Sequence, residues 1–175
     1  HLAGEKGAPQ FAFDDLVEGL SGGCWVLTGC RKGAVPAALV AHGPTAARRE
    51  LERLVDAFGR DRVLVELWDH GDPTDTARND AMHALAQQIG VACVATNNVH
   101  YATPTQRRLA TALAAFRSRR SLADVDPWLP AAAGAHLRSG AEQAWRFRRY
   151  PGAVETAAAI GRAAASGAVR GRRGS

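Results

Sequence analysis

Three polar clusters carry the side chains best suited to chemistry: Cys30, then Asp69 with His70, then Asn98 with His100. Thiolate, imidazole and carboxylate are the donors that hold zinc and neighbouring transition metals. The last cluster lies in Val91-Ala92-Cys93-Val94-Ala95-Thr96-Asn97-Asn98-Val99-His100-Tyr101. The first half of that stretch is a short, Val-containing apolar run, which reads as a buried parallel strand. The second half turns polar just past the strand's C-terminal end, where α/β proteins gather ligands. On extended backbone, Asn98 and His100 would point to the same side.

Each of these residues also has a plainer reading. Cys30, beside Gly29, would suit a tight strand exit as a small buried side chain. Asp69 and His70, before Gly71, could cap the next turn. His100 could be a hydrogen-bonded structural histidine. Glu66 falls mid-strand, where an acid needs a partner or a wetter face. Cys24 and Cys93 fall inside apolar runs and read as core residues. No role is assigned to His42, His83 or His136.

The elements that must position the clusters follow from periodicity. Strands are predicted at Cys24–Thr28, Val63–Trp68 and from Val91 onward. Helices are predicted at Phe11–Leu20, Val35–Val40, Thr45–Phe58 and from about Asp72 to Ile89. In the third of these, Ala47, Leu51, Leu54, Val55 and Phe58 form one stripe, and Gly59 supplies the stop. Strands alternating with helices imply a parallel α/β sheet with all three clusters on one rim. Beyond Tyr101 only helices are expected, at Pro104–Arg117, Gly140–Arg149 and Pro151 to about Ala164. Residues 1–10 read as a loop or linker, and the Gly/Arg-rich residues 166–175 as a disordered tail.

The third stretch resembles a known motif. Ala95-Thr96-Asn97-Asn98-Val99-His100-Tyr101 is similar to the last metal motif of the PHP (polymerase and histidinol phosphatase) domain of bacterial C-family DNA polymerases. That motif usually reads Ala-Thr-Asn-Asp-Val-His-Tyr, its Asp and His being ligands. Leu27-Thr28-Gly29-Cys30-Arg31-Lys32-Gly33 and Val65-Glu66-Leu67-Trp68-Asp69-His70-Gly71 match further motifs in the same order. The Arg-Lys-Gly variant and Ala135-His136-Leu137-Arg138-Ser139-Gly140 most resemble the error-prone, damage-inducible alpha-type branch of actinobacteria. The likeness runs from about residue 11 to about residue 163.

This resemblance implies that residues 11–103 are the C-terminal portion of a distorted (β/α)7 PHP barrel. Residues 104–165 would be an α-helical extension toward a polymerase core. The family's N-terminal His-x-His and Thr-Asp-His motifs would precede His1, and the chain's start at His rather than Met suggests a piece of something longer. By resemblance, Cys30 and His100 match metal ligands, while Asn98 stands where the family has Asp. A neutral amide is a weaker ligand and brings no charge to offset crowded cations. The implied segment is therefore a non-catalytic remnant, with no catalytic residue and no certain cofactor of its own, residual zinc or manganese being the candidate. The parent would be a magnesium-dependent, error-prone DNA polymerase acting in translesion synthesis and repair. It would work on DNA with the sliding clamp and accessory translesion proteins. The alternatives are a metal-dependent PHP phosphoesterase or 3′–5′ exonuclease, and a platform for accessory subunits.

Charge is divided unevenly along the 175 residues. Residues 1–100 hold 9 Lys/Arg against 13 Asp/Glu, and residues 101–175 hold 13 Arg against 4 acids. A basic half favours an anionic partner such as nucleic acid. Arg107, Arg108, Arg117, Arg119 and Arg120 are the foremost candidates for DNA or anion contact, with Arg146, Arg148 and Arg149 behind them. A GC-rich genome would inflate Arg equally well. Three cysteines make no disulfide framework, which suggests a reducing cytoplasm. No apolar run reaches the length of a membrane span.

Overall fold

A computed structural model of the chain describes residues 10–20, 22–125, 129 and 133–171. Nearly all of the expected N-terminal linker and residues 172–175 lie outside the described residues. Three parallel strands, β1 (Val26–Leu27), β2 (Val63–Leu67) and β3 (Ala92–Ala95), form one sheet in the order β1-β2-β3. Among the described residues seven α-helices accompany them, α1 (Phe13–Leu20), α2 (Ala34–His42), α3 (Pro44–Phe58), α4 (Asp75–Ile89), α5 (Arg107–Ser118), α6 (Gly140–Arg146) and α7 (Ala153–Gly171), with a short 3-10 turn at Pro104–Gln106 leading into α5. The expected α/β class with a parallel sheet is met. A barrel is not seen, because among the described residues the sheet stops at three strands. No helix among them is long and apolar enough to cross a membrane.

Side-chain alternation along β2 divides the fold. Val63, Val65 and Leu67 are fully buried in a cluster with Leu51 of α3, Met82 of α4 and the Phe147–Tyr150 turn. Burying each such side chain stabilises by roughly 1.5–3 kcal/mol, so this cluster is what fixes the sheet against its helices. Cys93 belongs to the same core, and burial pushes its thiol up to about 12. The intervening Glu66, pointing to the other face, is buried as well. It is not a lone acid there: Thr96 donates its hydroxyl to the Glu66 carboxylate, and the Glu66 amide donates to Thr28 Oγ1 at 3.0 Å. Partnership, not a wetter face, resolves its position.

Several boundaries differ from expectation. The first strand is shorter than its apolar run, although Val26 N–H to Arg62 O (2.8 Å) and Thr28 N–H to Leu64 O (3.0 Å) carry the pairing to Thr28. Cys24 falls outside the strand; it is half-buried, not a core residue, and its thiol donates to Leu20 O. The helix after Ser139 stops at Arg146, not Arg149. Phe147 and Tyr150 turn inward to the core, and Pro151 disfavours helical geometry at Tyr150. The last helix, expected to end near Ala164, continues to Gly171, its alanine runs at 157–159 and 163–165 favouring helix strongly enough to carry it past Gly161 and Gly167. The tail expected from residue 166 is thus helical as far as Gly171.

A strap, residues 133–139, closes the C-terminal rim of β2 and β3. His100 N–H donates to Ala135 O (2.8 Å), Leu137 N–H to Tyr101 O (3.1 Å), and Gly134 N–H to His70 O (3.0 Å). Only glycine fits at 134, where a Cβ would stand 2.3 Å from His70 O. Gly33 is similarly required: a Cβ there would meet Thr28 O at 2.1 Å, so the turn carrying Cys30 can fold tightly over the end of β1. Ser139 then caps α6 by accepting from Glu142 N–H.

Candidate functional site

Cys30, Asn98 and His100 line one cavity of about 590 Å³ at the rim where the strands end. Cys30 and Asn98 are half-buried and His100 is exposed. The fold thus brings together the three candidates, but not by the expected route. Asn97 and Asn98 have φ of +68° and +42°, left-handed backbone that asparagine tolerates better than most residues. The alternation argument that linked Asn98 to His100 assumed extended chain and does not apply.

The middle cluster splits. His70 lines the cavity, its ring centroid 6.4 Å from that of His100 and nearly perpendicular to it. Asp69 turns away, accepting from Gly71 N–H at 2.8 Å and pairing with Arg146 at 3.3 Å. It is a turn-capping residue, as its plainer reading had it. His70 is held at both ends: its backbone N–H donates to Asp75 Oδ2 (2.8 Å) and its Nε2 donates to Asn97 O (2.7 Å). The Nε2 position is therefore committed to the fold.

Sequence reasoning missed Asn97, which is only 1 % exposed. Its amide donates to Gly134 O (3.1 Å) and His136 O (2.9 Å), and its Oδ1 accepts from Arg138 Nη1 (2.7 Å). Arg138 also donates to Gly134 O at 2.8 Å and pairs with Glu142. This network ties the β3 exit loop to the strap, so it decides where Asn98 and His100 sit. The one signal in the sequence was the Asn-Asn pair itself, a left-handed turn signature. Asp75, at the start of α4, is a second buried polar residue of this kind. It accepts from the backbone of His70 and of Asp72 and pairs with Arg78 at 2.6 Å.

Burial first, then the charges of His70 and Arg31, hold His100 below the ordinary imidazole range, so the neutral ring is favoured at neutral pH. A neutral imidazole is a competent ligand, but the rest of the donor set is thin. Among the described residues no group of three or more His, Cys, Asp or Glu gathers as a metal cluster would require. Asn98 contributes an amide, and the nearby carboxylates of Asp72 and Asp75 are bound to their own loop. The residues present do not fit a metal centre by themselves.

The arginine candidates lie elsewhere. Arg107, Arg108 and Arg117 on α5, and Arg119 and Arg120 after it, are all exposed, and none lines the cavity. Arg117 instead borders a separate groove with His100, Leu109 and Leu113. Arg146 and Arg149 are engaged within the chain, with Asp69 and Glu142, and with Asp80 at 2.6 and 2.8 Å. Arg148 stacks on Trp145, 4.6 Å from the ring centroid.

An α/β domain with a cavity at the C-terminal ends of parallel strands is what these features define. The chain is 51% identical over 168 residues to an error-prone DNA polymerase of Mycobacterium bovis, covering 95% of this chain and 15% of that protein. It is 50% identical over 157 residues to an error-prone DNA polymerase of Cutibacterium acnes, covering 90% of this chain and 14% of the relative. A DNA polymerase III subunit alpha of Saccharopolyspora erythraea matches at 30% over 142 residues, 81% of this chain and 12% of that protein. The chain spans about 15% of the length of the curated relatives it matches most fully. No family model matches it.

Proposed function

We propose that this chain is a PHP-type segment of an error-prone DNA polymerase and that the segment is a non-catalytic remnant. The observation that carries the polymerase assignment is 51% identity to a protein of that name across 95% of the chain. The PHP reading is supported by the ordered motifs that contain Cys30, His70 and His100 and by these three residues lining one cavity. The non-catalytic reading rests on Asn98 and on the lack of a gathered ligand set among the described residues. Zinc or manganese at Cys30, Asn98 and His100 would need donors from elsewhere in a longer polypeptide.

In this reading residues 11–103 belong to a PHP barrel and residues 104–165 lead toward the polymerase core. Magnesium-dependent synthesis across lesions, partners such as DNA, the sliding clamp and accessory translesion proteins, and a cytoplasmic setting all follow from the parent assignment. The exposed arginines of α5, with no acidic side chain within ion-pairing distance of Arg107, Arg108 or Arg117 among the described residues, suit a phosphate backbone. The test is to purify the full-length polypeptide and assay it on a primed template with a damaged base. Primer extension past the lesion, with no metal-dependent exonuclease sensitive to His100→Ala, is expected. Rapid exonuclease turnover abolished by His100→Ala would overturn the remnant reading, and failure to extend any primer would overturn the polymerase reading.

A further inference from the structure

Helix α5 is built inside out. At 3.6 residues per turn, Ala110, Thr111, Ala114, Ala115 and Ser118 share one side, and these small side chains are the ones buried or half-buried. Leu109, Leu113 and Phe116 lie on the opposite side, within about 60° of one another, and are 59%, 54% and 83% exposed. Arg108 and Arg117 border that ridge on its two flanks, and neither forms an ion pair among the described residues. Beside the ridge runs a groove of about 610 Å³, lined by His100, Tyr101, Leu109, Leu113 and Arg117 among others. Soluble helices turn their large apolar side chains inward, so a stripe displayed outward between cations marks a surface that another body covers.

The flanks select the occupant. Two copies of the chain meeting ridge to ridge would set arginine against arginine, a repulsive pairing. They would also bury too little: one covered aromatic and two leucines supply about half of the roughly 800 Å² per partner that separate proteins bury in a stable complex. A nucleic-acid strand could use the arginines, but leucine offers its bases no ring to stack on. An acidic segment of the same polypeptide escapes these limits. Tethering gives it a high local concentration, and interfaces of this size are ordinary between parts of one chain. The chain spans about 15% of the length of an error-prone polymerase relative, so a polypeptide of that length has ample sequence to supply the segment. We infer that α5 is a docking ridge for an apolar segment with acidic flanks from elsewhere in such a longer polypeptide. The segment covers Leu109, Leu113 and Phe116, places one side chain in the groove beside Tyr101, and pairs its acids with Arg108 and Arg117. Arg107, on the far side of the helix, stays open to a phosphate backbone. This docking rests on the reading of the chain as part of a longer polymerase.

Hydroxyl-radical footprinting of the full-length polypeptide, native and in urea, tests it. Native Phe116 should be oxidised at least about tenfold more slowly than in urea, like the core residue Phe147, which is 2% exposed. That protection should be independent of protein concentration and should need no DNA. Arg108→Glu/Arg117→Glu should return Phe116 to near its rate in urea, while Phe147 stays protected and so reports an intact fold. Phe116 as reactive in the native polypeptide as in urea would overturn the proposal, and so would protection that the double substitution leaves unchanged. Protection that grows with protein concentration would assign the ridge to a second copy, and protection that appears only with DNA would assign it to nucleic acid; either result overturns the docking. Primer extension is read on the same preparation. Phe116 protected without extension would remove the polymerase reading alone, and extension with Phe116 reactive would remove the docking alone.

Discussion

The exit of β3 and helix α5 are neighbours in sequence and opposites in construction. At the exit, Asn97 is buried and each side-chain polar atom has a partner in the strap, so position is dictated from within the chain. On α5, Leu109, Leu113 and Phe116 are 59%, 54% and 83% exposed, an apolar ridge flanked by exposed arginines. Nothing among the described residues covers that ridge. Both regions are polar–apolar mixtures in sequence, yet one is a built site and the other an open surface. What separates them is a return segment, residues 133–139, that reaches the first and not the second.

The comparison can be broken most directly at Asn97. Replacing it with Ala leaves His136 O without its side-chain donor, removes one of two donors from Gly134 O and one acceptor from Arg138, and puts a β-carbon residue without polar compensation in left-handed backbone. Each buried group left unpaired costs about 1–3 kcal/mol, so Asn97→Ala should lower stability by about 3 kcal/mol in urea denaturation. A loss under about 1 kcal/mol would mean that the strap is not what holds the exit loop.

A smaller effect is expected from His100. Its folded pKa is lowered, so between the folded and unfolded values the unfolded state binds more protons, and stability rises with pH there. Its contribution is fully present above the ordinary imidazole value and is lost as pH falls through the folded one. His100→Gln should therefore flatten the dependence of stability on pH below about 6.5, measured as urea midpoints across a pH series. An unchanged slope would place the titration elsewhere.

The smallest effect belongs to α5. Phe116→Ser should change the stability of this chain by less than about 0.5 kcal/mol, because an 83% exposed ring has little burial to lose. A loss above 1 kcal/mol would show that the ridge is covered after all and erase the contrast.

Much was legible beforehand where local chemistry and periodicity agreed. The stripe of α3, its Gly59 stop and the three apolar strands follow from patterns that short-range sterics enforce, and so does the α/β class. The placing of Cys30 and His100 at strand exits came from the same reasoning. The division of Asp69 from His70 was not legible, since adjacent residues can diverge only when a turn sends them apart. Nor was the role of Asn97 or Arg138, which are 41 residues apart and meet through a single hydrogen bond.

By itself, then, the sequence determined which segments are strands and helices, because side-chain periodicity and turn residues act within a few positions. It also determined that donors follow each strand, and that the second half is rich in arginine. Tertiary structure alone decided which donors share a cavity, which arginines are engaged by acids, and that the β3 exit runs left-handed under a strap. Those outcomes depend on groups far apart in the chain competing for the same few buried hydrogen bonds, and no local pattern records who wins.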